Sequence, residues 1–179
     1  MNCRLIIVLL QVFLFSAVIA QEANKKEEDT KGSHQFSLML SHSHTQDGFV
    51  DGGNQWISSP SYGFDYNYWI SNHWAIGLHT DFITETIKIQ DAGGEVLERT
   101  NPFAAVPAVV FKPKEHSSFI IGMGGEFAKE EHFALTRLGY EYGWELPKHF
   151  ELSAGLTYDI KWNAYDTWTF GVIISKFLK

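Results

Sequence analysis

From residue 34 to the end, the chain falls into eight stretches in which apolar and polar residues alternate with a period of two. Successive side chains of a β-strand point to opposite faces, so this pattern predicts strands with one apolar and one polar face. The clearest case is residues 150–160, where Phe150, Leu152, Ala154, Leu156, Tyr158 and Ile160 oppose Glu151, Ser153, Gly155, Thr157 and Asp159. Residues 168–174 repeat the pattern around Gly171. Strand one is read over 34–44, with Phe36, Leu38 and Leu40 against Gln35, Ser37 and Ser41. Strand two, 61–70, turns Tyr62, Phe64, Tyr66, Tyr68 and Ile70 one way and Gly63, Asp65 and Asn67 the other. Strand three starts at Trp74 and runs on through Ile89, with Gly77, His79 and Asp81 on its polar face. Strand four, 101–112, is apolar on both faces and carries Pro102 and Pro107, which weaken the assignment because proline removes a ladder hydrogen bond. Strand five (118–127) and strand six (around 136–142) complete the set.

The connections divide by length. Residues 45–59 and 90–100 make long links after strands one and three, while 71–73 is a tight turn. The later links, 128–131 and 161–166, are short, so the asymmetry is partial.

Ahead of the strands, residues 1–20 hold Arg4, the apolar run 5–15 and a final Ser16-Ala17-Val18-Ile19-Ala20, the layout of a cleaved signal peptide. Residues 21–33 are charged, with Lys25-Lys26-Glu27-Glu28-Asp29 at the centre, and read as a disordered leader. The domain itself is 34–179. Cysteine occurs once, as Cys3 within the signal, so the mature chain has no disulfide, thiol nucleophile or thiolate metal site. Loss of Arg4 takes the formal net charge from −7 to −8, which disfavours nucleic acid as a partner. After residue 20 no apolar run reaches the length of a membrane helix. A membrane location therefore requires a closed barrel, which leaves no unpaired backbone in hydrocarbon.

The aromatic hairpin Tyr66-Asn67-Tyr68-Trp69-Ile70-Ser71-Asn72-His73-Trp74-Ala75-Ile76-Gly77-Leu78, with Arg137-Leu138-Gly139-Tyr140-Glu141-Tyr142 and the closing Thr169-Phe170-Gly171-Val172-Ile173-Ile174-Ser175-Lys176-Phe177, resembles the small outer-membrane β-barrels of Gram-negative bacteria, the OmpA/OmpX-like "porin family". The resemblance spans residue 34 to the C-terminus. It implies an all-β, eight-stranded antiparallel up-and-down transmembrane barrel, exported by its signal and inserted in the outer membrane as a monomer. Outer-membrane lipids and the assembly machinery are the implied partners, although Leu178-Lys179 follows Phe177 where assembly signals favour a terminal aromatic. The implied role is structural or surface interaction, without catalysis or cofactor.

On that reading Asp65, His79, Asp81, Glu126, Arg137, Glu141, Glu151 and Asp159 face the lumen as a charge network. An eight-stranded barrel is just wide enough for side chains, and buried charges must pair. Arg137 is the expected hub, serving Glu126, Glu141 or Glu151, since Arg99 is the other arginine after the signal. Gly122, Gly124, Gly139, Gly155 and Gly171 are expected to make room for the long charged side chains. Trp74, Tyr140, Tyr142, Trp144, Trp162 and Trp168 fall near strand ends and read as aromatic girdles.

Two other chemistries are open to these residues. His42 and His44 share a strand face at a spacing that lets both reach one metal, but no further ligand completes a set before Asp47. A His–Ser pair on strand one is also a weak match to barrel enzymes that modify lipid, again with no acid nearby. Finally, alternation by itself does not say which face is inside. A soluble secreted lipocalin-like barrel binding a small apolar ligand would keep the apolar face inward.

Overall fold

The computed structural model describes residues 30–50, 53–90 and 96–179. Ten strands form: β1 (His34–Val50), β2 (Gly53–Trp69), β3 (Trp74–Ile83), β4 (Thr86–Gln90), β5 (Val96–Thr100), β6 (Phe103–Lys114), β7 (Ser117–Phe127), β8 (His132–Leu146), β9 (Phe150–Lys161) and β10 (Asp166–Leu178). Eight of them, β1–β3 and β6–β10, make an antiparallel barrel that closes where β10 pairs with β1 from His34↔Leu178 to Thr45↔Thr167. Closure leaves no free edge in the body of the barrel, so each stave has a hydrogen-bonded neighbour on both sides. Residues 30–33 and Lys179 lie with the links 70–73, 115–116 and 147–149, here called the turn end. The other end is the mouth.

Burial settles the polarity of the wall. Leu38, Leu40, Leu156 and Phe170 point outward at 60 %, 66 %, 41 % and 58 % exposure, while Ser37, Ser41, Asp65, Glu151, Ser153 and Asp159 are buried inside. The lipocalin arrangement is thereby ruled out, because this interior is polar and its exterior apolar.

Several boundaries differ from those expected of the sequence. Residues 45–59, expected as a connection, are the outer halves of β1 and β2, which pair beyond the barrel rim from Gly48↔Gln55 after a bulge between Thr45 and Gly48. Strand three stops at Ile83 rather than Ile89. The chain then forms a separate hairpin, β4–β5, paired from Thr86↔Thr100 to Gln90↔Val96. It leaves the rim between β3 and β6, yet β4 docks on β1 at Gly48↔Ile89, so the hairpin reaches across the mouth. Strand four holds despite Pro107, which faces outward, opposite Leu78 of β3. The β6–β7 ladder passes from Ala105↔Gly125 to Ala108↔Gly122, leaving Val106 and Pro107 without β7 partners where proline has no N–H to give.

Of the stretch read as a leader, residues 30–33 form a turn bonded to the barrel: Gly32 N–H donates to Trp69 O (2.8 Å) and Trp69 N–H to Ser33 O (3.0 Å). Gly32 adopts φ = 79°, a left-handed conformation that glycine takes without strain. The rest of that stretch and the signal lie outside the described residues.

Candidate functional site

The lumen is crossed by polar layers, and each is fixed by the strand register. At mid-depth Arg137 of β8 lies beside Asp159 of β9 in the ladder. Its Nε donates to Asp159 Oδ1 and its Nη2 to Asp159 Oδ2, both at 2.7 Å. This two-point geometry suits the planar guanidinium. Arg137 also pairs with Asp81 across the lumen. Beside it, Asp65 accepts from Thr80 N–H (3.0 Å), His79 Nε2 donates to Asn67 Oδ1 (3.0 Å), and His79 Nδ1 stands 3.9 Å from Asp65 Oδ2.

Toward the turn end, Lys112 Nζ donates to Glu151 Oε2 at 2.8 Å. Beside it, on the side toward Arg137, an apolar plug of Trp69, Ala75, Ala108, Val110 and Ile120 packs in the lumen, with Phe177 against it, and Lys112 Nζ lies 5.9 Å over the Trp69 ring. The Trp69 indole N–H is satisfied by Gln35 Oε1 (2.9 Å).

The mouth layer joins barrel to cap. Arg99 of β5 is fully buried; it donates to Glu126 Oε1 and to the Glu131 carbonyl, each at 2.6 Å, and lies 4.5 Å over the Phe133 ring. Glu126 also receives the Tyr165 hydroxyl (2.5 Å) and faces Lys161 Nζ (3.3 Å). Around these charges Ile87 and Ile89 of the hairpin pack with Phe133 and Tyr165. Burial, with the Glu126 carboxylate next to it, pushes the Tyr165 hydroxyl well above its ordinary value. At the rim the Thr100 amide, and then its hydroxyl, hold the Glu130 carboxyl below the usual range.

All eight residues expected in the charge network face the lumen, but the pairing differs. Arg137 serves Asp81 and Asp159, not Glu126, Glu141 or Glu151. Glu126 belongs to Arg99, Lys161 and Tyr165, and Glu151 to Lys112. Glu141 sits half-buried on the inner face, outside every ion pair among the described residues. The register explains the difference, since it sets Asp159 directly beside Arg137. Among buried described residues five carboxylates meet four fixed cations, so nearly every cation is committed.

Four partners escape a reading of the sequence. Lys112 and Lys161 share inner-face parity with Val110 and Asp159, but each falls where a turn is expected. Arg99 and Tyr165 enter through the crossing hairpin and the last mouth loop, which no local pattern announces. The glycines also play a different part. A Cβ at Gly122, Gly139 or Gly155 would meet Val106, Ile120 or Ile173 at 2.7 to 3.1 Å, so they mainly admit aliphatic side chains, with charged ones admitted at Gly143 beside Glu151.

The residues read as girdles lie on the outer face. Trp74, Tyr140, Tyr142 and Trp144 ring the turn end, and Trp162 and Trp168 the mouth; Trp74 stacks near Phe111 (4.5 Å) and Trp168 on Tyr158 (4.2 Å). His42 and His44 also face outward, and no metal-holding cluster occurs among the described residues. Ser41 and Ser43 point the opposite way, into a hydroxyl network with Ser61 and Thr169. His44 stands across from Ser58, and no hydrogen bond joins the two.

The OprG outer-membrane protein of Pseudomonas aeruginosa superposes with a TM-score of 0.51 at 12 % identity, over 86 % of this chain and 99 % of that one. The fold is that of a small outer-membrane β-barrel. The N-terminal barrel of P. aeruginosa OprF (TM-score 0.49, 10 % identity, 83 % and 99 % covered) and Ail of Yersinia pestis in complex with the heparin analogue sucrose octasulfate (0.48, 17 %, 81 % and 99 %) are similar at lower scores. No protein-family model and no curated protein matches the sequence.

Proposed function

We propose that this chain is a sealed outer-membrane barrel with a structural or surface-interaction role, and that it performs neither catalysis nor bulk transport. The observation that carries the reading is its inverted polarity, with lipid-compatible side chains outside and paired charges across the lumen. An exterior of this kind is stable only against hydrocarbon, and the paired layers with the Trp69 plug leave no open water column. The mouth supplies the surface: the projecting β1–β2 hairpin and the β4–β5 cap, with Trp56 and Val96 exposed at 54 % and 45 %. Export by the N-terminal signal, assembly by the host's barrel machinery and a monomeric state belong to the same proposal.

The test is expression of the full chain in a Gram-negative host. Recovery in the outer-membrane fraction, with an unboiled band that migrates differently from the boiled one, is the expected result. A soluble periplasmic protein with no heat-modifiable band would overturn it.

A further inference from the structure

The described residues of the two rims carry opposite charge. Outside the lumen at the turn end, these are Lys31, Lys114, Lys148, Lys176 and Lys179, against Glu115 and Glu145. At the mouth, among the described residues outside the sealed interior, Glu85, Glu98, Glu130, Glu131 and Asp166 face Lys88 and Lys129. The turn end also has a histidine at the entry of every ascending strand: His34 opens β1, and His73, His116 and His149 immediately precede β3, β7 and β9. Alternate staves therefore space the four imidazoles around the whole rim.

Ring contacts set the depth of two of them and of Lys176. His34 lies 5.9 Å from the Tyr66 ring and 5.2 Å from the Tyr68 ring, and its Nδ1 bonds the Tyr66 hydroxyl at 2.8 Å. His116 packs 5.6 Å from Tyr142, and Lys176 Nζ stands 4.3 Å over Phe150 while donating to the Lys148 carbonyl. Outward aromatic rings settle at the headgroup level, so these two imidazoles and the Lys176 ammonium are held at the depth of lipid phosphates.

We propose that the turn-end rim is a collar for the headgroups of anionic phospholipids in the leaflet at that end. A phosphodiester carries one negative charge and accepts hydrogen bonds from ammonium and imidazole N–H groups. The acidic mouth repels the same headgroup, so the preference belongs to one leaflet. The inference rests on the membrane reading and adds to it a choice of lipid.

The full chain is refolded into vesicles of equal parts phosphatidylcholine and phosphatidylglycerol, with one lipid or the other brominated, and tryptophan quenching gives the relative occupancy around the barrel. The native chain should select phosphatidylglycerol, and each lysine removed should lower the selectivity by up to about fivefold. Lys114→Glu with Lys148→Glu should abolish it, and the mouth pair Lys88→Glu with Lys129→Glu should not. If the double variant fails to insert, molar salt applied to the native protein serves instead, since screening must collapse the preference. Insertion with equal quenching by both lipids, a preference that survives molar salt, or equal loss in the mouth pair would each overturn the collar. A chain that inserts into neither kind of vesicle would overturn the membrane reading itself.

Discussion

Arg137→Met isolates the interaction on which the middle of the barrel depends. Arg137 is 2 % exposed, donates two 2.7 Å bonds to Asp159 and pairs with Asp81, so its loss leaves two buried carboxylates without their cation. Breaking a buried pair by removing one partner costs about 3–5 kcal/mol, whereas replacing a whole ion cluster by neutral groups of similar volume is often neutral or stabilising. The committed cations nearby, Lys161 with Glu126 and Lys112 with Glu151, are poor substitutes. Arg137→Met alone should therefore lower the free energy of unfolding by about 3–5 kcal/mol. Adding Asp81→Asn and Asp159→Asn should return most of that loss. The assay is reversible urea unfolding of the vesicle-inserted barrel, followed by tryptophan fluorescence and by the fraction migrating as folded. Equal losses in the single and triple variants would refute the reasoning, because the defect would then lie in packing rather than in stranded charge.

Three further outcomes are expected. Leu156→Arg, on the 41 %-exposed outer face, should cost about 2–4 kcal/mol and block assembly, while Thr157→Arg, one residue on and facing the lumen, should answer to interior space and nearby carboxylates; equal tolerance in a folding assay would contradict the polarity. Arg99→Ala should free the β4–β5 hairpin while the barrel stays folded, read as faster amide exchange at Ile87 and Ile89 with unchanged exchange in β8 and β9; unchanged exchange in the hairpin would refute the idea that Arg99 holds it to Glu126 and Glu131. Tyr165 is neutral in the folded cap and its hydroxyl titrates above the ordinary value near 10, so the folded cap binds the proton more tightly than the open one. The stability this gives is full below that ordinary value and is lost as pH rises toward the folded one. Alkaline opening of the hairpin should start there and be blunted in Tyr165→Phe; an identical pH profile for both would contradict it.

The barrel is legible in the sequence because its signal is local. Parity along each strand puts Leu156 and Asp159 on opposite faces, and a one-residue slip would exchange the two faces. Pairing across strands is not legible, since Arg137 meets Asp159 through a register that involves residues 22 apart in sequence. Strand ends fail for a related reason. Residues 45–59 read as a loop because Gly48, Ser58 and Ser59 interrupt the apolar pattern, yet above the rim neither face of β1 and β2 needs to meet lipid, so the alternation loses its physical cause. The cap lies furthest from reach: Ile87 and Ile89 alternate like strand residues but on the opposite parity to Trp74, Ile76, Leu78 and Phe82, and the path of that segment across the mouth is set by contacts distant in sequence.

On the proposed reading the barrel is inserted in the membrane and yet sealed, and planar-bilayer recording tests both properties at once. The refolded native chain is used, with insertion verified by the heat-modifiable band. The paired layers at Arg99, Arg137 and Lys112 and the plug at Trp69 predict no stable channel. A steady, wide, ion-conducting pore from the native protein would contradict the sealed lumen and replace the structural role with transport.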